Sequence, residues 1–74
     1  MTKQEKEFLK KIGSNIALNR SKKGWTQVQF SEILRMNRSA LARIEAGGVN
    51  SSIIILNKIA KALDVKITAL LDFE

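Results

Sequence analysis

Arg38, Ser39, Ala42 and Arg43 fall at spacings that a helix brings round to one side. They combine two guanidinium groups with side chains too short to hold another surface away. Guanidinium presents a rigid fork of donors to an anion or to a planar acceptor edge, and a hydroxyl can give or take one bond. Catalytic chemistry is poorly provided for. The 74 residues include no histidine and no cysteine, so the commonest general base, the thiol nucleophile and the usual transition-metal ligands are missing. A nuclease would need a metal-binding carboxylate cluster, and Glu5, Glu7, Glu32, Glu45, Asp64, Asp72 and Glu74 show no such spacing. A non-enzymatic chain with no metal and no cofactor is expected.

The charge is unevenly spread. Residues 1–48 hold ten Lys/Arg against four Glu, whereas residues 49–74 hold three Lys against three acids. Between Arg20 and Arg43 six basic residues face one acid, a balance that suits a polyanion such as nucleic acid; a solvated basic surface is the alternative. The opening MTKQEKE is charged with no apolar stretch behind it, so no signal peptide is expected. The longest aliphatic run, Ile53 to Leu56, is too short to span a bilayer.

The elements that must position these side chains are helical. There is no proline, no segment alternates as a strand would, and apolar residues recur at spacings of three and four. The first helix should open at a Thr2-x-x-Glu5 capping box and run to about Lys22, with Phe8, Leu9, Ile12 and Ile16 as its stripe and Gly24 ending it. The second starts after Thr26, with Gln29 completing another box and Trp25 stapled to Phe30, and ends near Leu34. Arg35, Met36 and Asn37 make a tight connection in which Asn37 can cap the third helix, from Arg38 to Gly47-Gly48. Leu41 and Ile44 face inward there, and Ser39, Ala42, Arg43 and Ala46 outward. Ser52 caps a fourth helix with the stripe Ile53, Leu56, Ile59, Ala60 and Leu63, and a short fifth runs roughly from Ile67 to Leu71. No repeat, low-complexity tract or linker interrupts the chain, so 1–74 reads as one all-α, five-helix domain.

A domain this small buries a limited fraction of its surface. The last third nevertheless carries more apolar side chains than one small core can use: Ile54 and Ile55 lie off the fourth helix's stripe, and Ile67, Leu70 and Phe73 follow. They suit a dimer interface within about 50–74; completing the monomer core is the alternative.

Two short helices joined by about three residues, the second basic on its outer face, form a helix-turn-helix pattern over about 26–46. The stretch Ile12-Gly13-x-x-Ile16, Arg20, Gly24-Trp25-Thr26-Gln27, then Phe30, Leu34, Met36, Leu41, Ile44-Glu45-x-Gly47 and Lys58-Ile59-Ala60-Lys61-Ala62-Leu63 resembles the Cro and lambda repressor family of DNA-binding domains, over nearly the whole chain. The resemblance implies a compact five-helix bundle that binds double-stranded DNA as a homodimer with the third helix in the major groove; with no signal peptide or membrane span foreseen, a cytoplasmic, nucleoid-associated location is expected.

It also implies roles for single residues. Arg38, Ser39 and Arg43 match positions at which relatives read bases, with Asn37, Ala42 and Ala46 beside them. Arginine can grip guanine O6 and N7, Ala42 can touch only a thymine methyl, and either arginine alone can instead hold a phosphate. Gln27 matches a glutamine that contacts phosphate at the start of the second helix while bracing the recognition helix; an ordinary exposed first-turn residue is the alternative. Lys22, Lys23, Arg35, Asn50 and Ser51 are further phosphate candidates, and any of the lysines can simply be solvated. Arg20 and Glu45 match a structural ion pair. Arg35 departs from the glycine usual in the turn, where a left-handed conformation costs roughly 1 kcal/mol or more without Gly. Ser31 stands where the family has alanine, and Asn19 where leucine is frequent.

The function implied is transcriptional regulation, chiefly repression, at a palindromic operator, as in a small phage-type repressor or a controller of a restriction system. RNA polymerase is a further partner to consider. An antitoxin that binds a toxin and autoregulates its operon is the competing reading.

Overall fold

A computed structural model describes residues 1–72 as five helices: α1 (Lys3–Lys22), α2 (Gln27–Leu34), α3 (Arg38–Glu45), α4 (Ile53–Ala62) and α5 (Ile67–Leu71). The boundaries follow local hydrogen bonding. At the start of α1 the Glu5 amide donates to Thr2 Oγ1 at 3.0 Å and the Thr2 amide to Glu5 Oε1 at 2.7 Å. Thr26 and Gln29 exchange the same two bonds before α2, at 3.1 and 2.9 Å. There the Trp25 ring stacks on Phe30 with centroids 5.4 Å apart, fixing the angle at which the chain enters the helix. Ser52 Oγ accepts from the Ile55 amide at 3.1 Å and opens α4. Asn37 does occupy the position before α3, but its side chain makes no capping bond.

One core joins the elements. Ile12 and Ile16 of α1, Phe30 and Leu34 of α2, Leu41 and Ile44 of α3, Leu56, Ile59 and Ala60 of α4, then Leu63 and Leu70, form a single buried cluster. Helix α1 packs on α3 and α5, α2 on α3 and α4, and α4 on α5. Asn15 adds a polar tie across 55 residues, its Nδ2 donating to the Leu70 carbonyl at 3.1 Å. Asn19 is satisfied locally, donating to the Asn15 carbonyl at 2.9 Å. The Ser31 hydroxyl, buried where alanine was expected, donates to the Val28 carbonyl at 2.7 Å, so its polarity is compensated within its own helix.

Three assignments made from periodicity need correction. Phe8 lies on the α1 stripe yet stays 49% exposed, and Ile53 on the α4 stripe stays 64% exposed. Both stand toward the start of their helices, at the edge of the packed region, and line an open groove of about 360 Å³ instead of entering the core. Leu70, expected at a dimer interface, is fully buried within the monomer. Of the other residues expected there, Ile54 is 77% exposed, Ile55 and Ile67 are half-buried against the core, and Phe73 lies outside the described residues. No described helix is long and apolar enough to cross a membrane.

Candidate nucleic-acid interface

Helix α3 carries the densest set of candidate side chains, and its inner face determines which way they point. Leu41 and Ile44 are buried, so the helix is rolled with Arg38, Ser39, Arg43 and Ala46 in solvent and Ala42 half-buried at the border. Asn37, exposed just before the helix, lies at the same end as Arg38. Among the described residues neither Arg38 nor Arg43 forms an ion pair, which leaves both guanidinium groups available to an incoming anion or base edge.

The far end of α3 is fastened by one buried carboxylate. Arg20 Nε donates to Glu45 Oε2 at 2.8 Å and Arg20 Nη2 to Oε1 at 3.1 Å, a two-bond fork. Gln27 Nε2 donates to the same Oε1 at 3.0 Å, and Arg20 Nη1 to the Trp25 carbonyl at 2.8 Å. The last turn of α1, the first residue of α2 and the last residue of α3 thus meet at Glu45. Arg20 has its donors turned into the protein and adds little to the charge available outside. The Gln27–Glu45 bond braces α3 as the resemblance implies for Gln27, but its acceptor was not foreseen: the two residues are 18 apart, and no local pattern signals such a bond. Gln27 keeps its second amide hydrogen for another acceptor.

The remaining candidates flank this hub. Lys22 and Lys23 are exposed at the end of α1, two and three residues past Arg20. Arg35 is exposed in the turn between α2 and α3 in a left-handed conformation, φ 57° and ψ 46°, with its amide donating to the Glu32 carbonyl at 3.1 Å. Asn50 is exposed and Ser51 half-buried in the segment after α3, where both also line the apolar groove. That segment begins under restraint, since the Gly48 amide donates to the Arg43 carbonyl at 2.8 Å. The arrangement offers a cationic helix face with amide and lysine groups around it. Among the described residues no group of three or more His, Cys, Asp or Glu is placed to hold a metal ion.

A family model described as helix-turn-helix matches residues 16–70. The chain is also similar to the restriction-modification controller protein C.AhdI from Aeromonas hydrophila, known from a high-resolution crystal structure, with 31% identity, a TM-score of 0.79, and coverage of 84% of this chain and 94% of that one. No curated protein matches the chain.

Proposed function

Since the chain belongs to the helix-turn-helix family and is a DNA-binding transcriptional regulator, we propose that it recognises a palindromic operator as a homodimer, with α3 of each protomer in the major groove. The observation that carries this reading is the outward face of α3: small side chains let the helix approach the base edges, and Arg38 and Arg43 stand exposed and unpaired beside them. In this reading Arg38, Ser39, Ala42, Arg43 and Asn37 meet bases, while Gln27, Lys22, Lys23, Arg35, Asn50 and Ser51 hold phosphates and set the register. The helix-turn-helix takes residues 26–46, and the dimer contact falls within 50–74.

The described chain measures 32 × 23 × 20 Å, so two copies side by side suit reading helices one DNA turn apart, about 34 Å. Ile54 is the best candidate for the contact, with Ile55 and Ile67 beside it; Ile53, exposed where it was expected in the core, joins them. A C2 pair uses the same patch on both partners, which gives the operator its two-fold symmetry. The similarity to a restriction-modification controller protein over most of both chains supports a controlling role, which we read as occupancy of DNA.

Selection of binding sites from randomised duplex DNA tests the proposal. Enriched sequences should contain two inverted half-sites, bound with a log-log salt slope near −0.9 per phosphate for about six to ten phosphates per dimer. Equal affinity for enriched and random duplexes at one salt concentration would reduce the protein to a non-specific DNA coater.

A further inference from the structure

We propose that Arg38 and Arg43 read two guanines on opposite strands of each half-site, about two base-pair steps apart. The inference rests on α3 being the reading helix and concerns what it reads. Projected at about 100° per residue, Ser39, Ala42 and Ala46 gather in one narrow strip opposite Leu41 and Ile44, and each arginine stands about 70° from the middle of that strip, on opposite sides. A helix seated with its small strip toward the floor of the groove directs one flank toward each of the two strands. With the small strip toward the groove floor, Arg38 and Arg43 therefore approach the bases from different sides, and burial of Leu41 and Ile44 fixes that strip as the outward face of α3.

Their axial separation follows from the same geometry. Five residues at about 1.5 Å each advance about 7.5 Å along α3, and because a helix in the major groove is inclined to the duplex axis this reaches at most about two steps of the roughly 3.4 Å rise per base pair. Guanine is the base whose O6 and N7 acceptors match the guanidinium fork.

A base contact from the last turn of a helix needs a backbone that does not drift, and here that turn is held. Glu45, two residues after Arg43, is bonded to Arg20 and Gln27, and the Arg43 carbonyl accepts the Gly48 amide. The backbone at Arg43 is thus tied to α1, to α2 and to the segment after α3. A side chain that only neutralised phosphate would not need this restraint, because a charge contact tolerates displacement that a two-bond fork does not.

Two measurements test the assignment. N7-methylation interference with the unaltered protein on its selected operator should mark one guanine on each strand of every half-site, about two base pairs apart. In site selections, Arg38→Ala should lose the preference at one of these base pairs and Arg43→Ala at the other, each lowering discrimination there by on the order of 10- to 100-fold. Interference confined to one strand, loss of the same base pair in both variants, or a uniform weakening on all duplexes in Arg43→Ala would overturn opposite-strand reading and leave α3 as the reader. No enriched sequence for the unaltered protein would overturn the reading of α3 itself.

Discussion

A β-carbon on Gly13 would stand 2.3 Å from the carbonyl oxygen of Glu45 and 2.5 Å from that of Ile44, so α1 and α3 meet there through main chain. The absence of a side chain at residue 13 sets how close α3 lies to α1. Gly13→Ala forces backbone against backbone, which no rotamer change relieves, and should cost about 3 kcal/mol. Gly24→Ala makes the contrast: nothing lies within 4 Å of the added carbon, and only its φ of +79° opposes the change, at about 1–2 kcal/mol. Thermal unfolding of the two variants should rank them in that order. A Gly13→Ala protein no less stable than Gly24→Ala would mean that the helices separate easily.

Arg20 is a positive residue in a basic segment, yet its donors are spent on Glu45 and Trp25. Glu45→Ala strips the guanidinium of its carboxylate and Gln27 of its acceptor. Losing a partner of a fully buried pair costs about 3–5 kcal/mol; the Arg20 side chain keeps 16% of its exposure, so about 2–3 kcal/mol is expected. In a double-mutant cycle, Arg20→Ala and Glu45→Ala should couple by about 1–2 kcal/mol. Arg20→Ala should leave the salt slope of DNA binding unaltered. A shallower slope would move Arg20 to the DNA.

The helices could be placed from the chain because their ends are written locally. Thr2 with Glu5, Thr26 with Gln29 and Ser52 before Ile53 each form capping bonds over three residues, and the Trp25–Phe30 staple spans five. Burial was less legible. A stripe tells which face of a helix is apolar but not whether another element reaches every turn of it, hence the exposure of Phe8 and Ile53. The converse error at Leu70 has the same origin: the chain shows an excess of apolar side chains without showing which of them the monomer covers. Contacts such as Asn15 with the Leu70 carbonyl, or Gln27 with Glu45, join residues whose separation carries no periodic signal. On the outer face of α3 the arginines and small residues were visible at once, and the Arg20–Glu45 pair followed from the family resemblance, whereas the share that Gln27 takes in Glu45 required the fold.

Exposure separates two residues of the last third that periodicity alone treated alike. Ile54→Asp adds a charge at a 77% exposed position and should convert the proposed dimer to a monomer while helical circular dichroism persists. Leu70→Asp puts a carboxylate into a fully buried site and should unfold the chain, because an unpaired charge there has no compensating partner. Sedimentation of both variants decides the matter. An unchanged dimer mass for Ile54→Asp would place the interface on another surface.

Arg35 should yield effects of opposite sign on stability and on binding. Its left-handed backbone, φ 57°, is one that glycine adopts without hindrance and that costs other residues about 1–2 kcal/mol. Part of that gain is lost to the greater freedom of glycine in the unfolded chain, so Arg35→Gly should stabilise the fold by about 1 kcal/mol or slightly less. The guanidinium that disappears is exposed in the turn leading into α3. If it holds a phosphate, binding should weaken on every duplex alike, and the log-log salt slope should become shallower by about 1 per protomer. Asp64, the other non-glycine residue with positive φ at 59°, provides the control. It precedes α5 rather than α3, so Asp64→Gly should stabilise the fold without changing the salt slope. Denaturant unfolding and salt-dependent titrations of the two variants separate the terms: an Arg35→Gly protein that gains stability and keeps the full slope would remove Arg35 from the DNA contact, leaving its strained conformation without a functional counterpart.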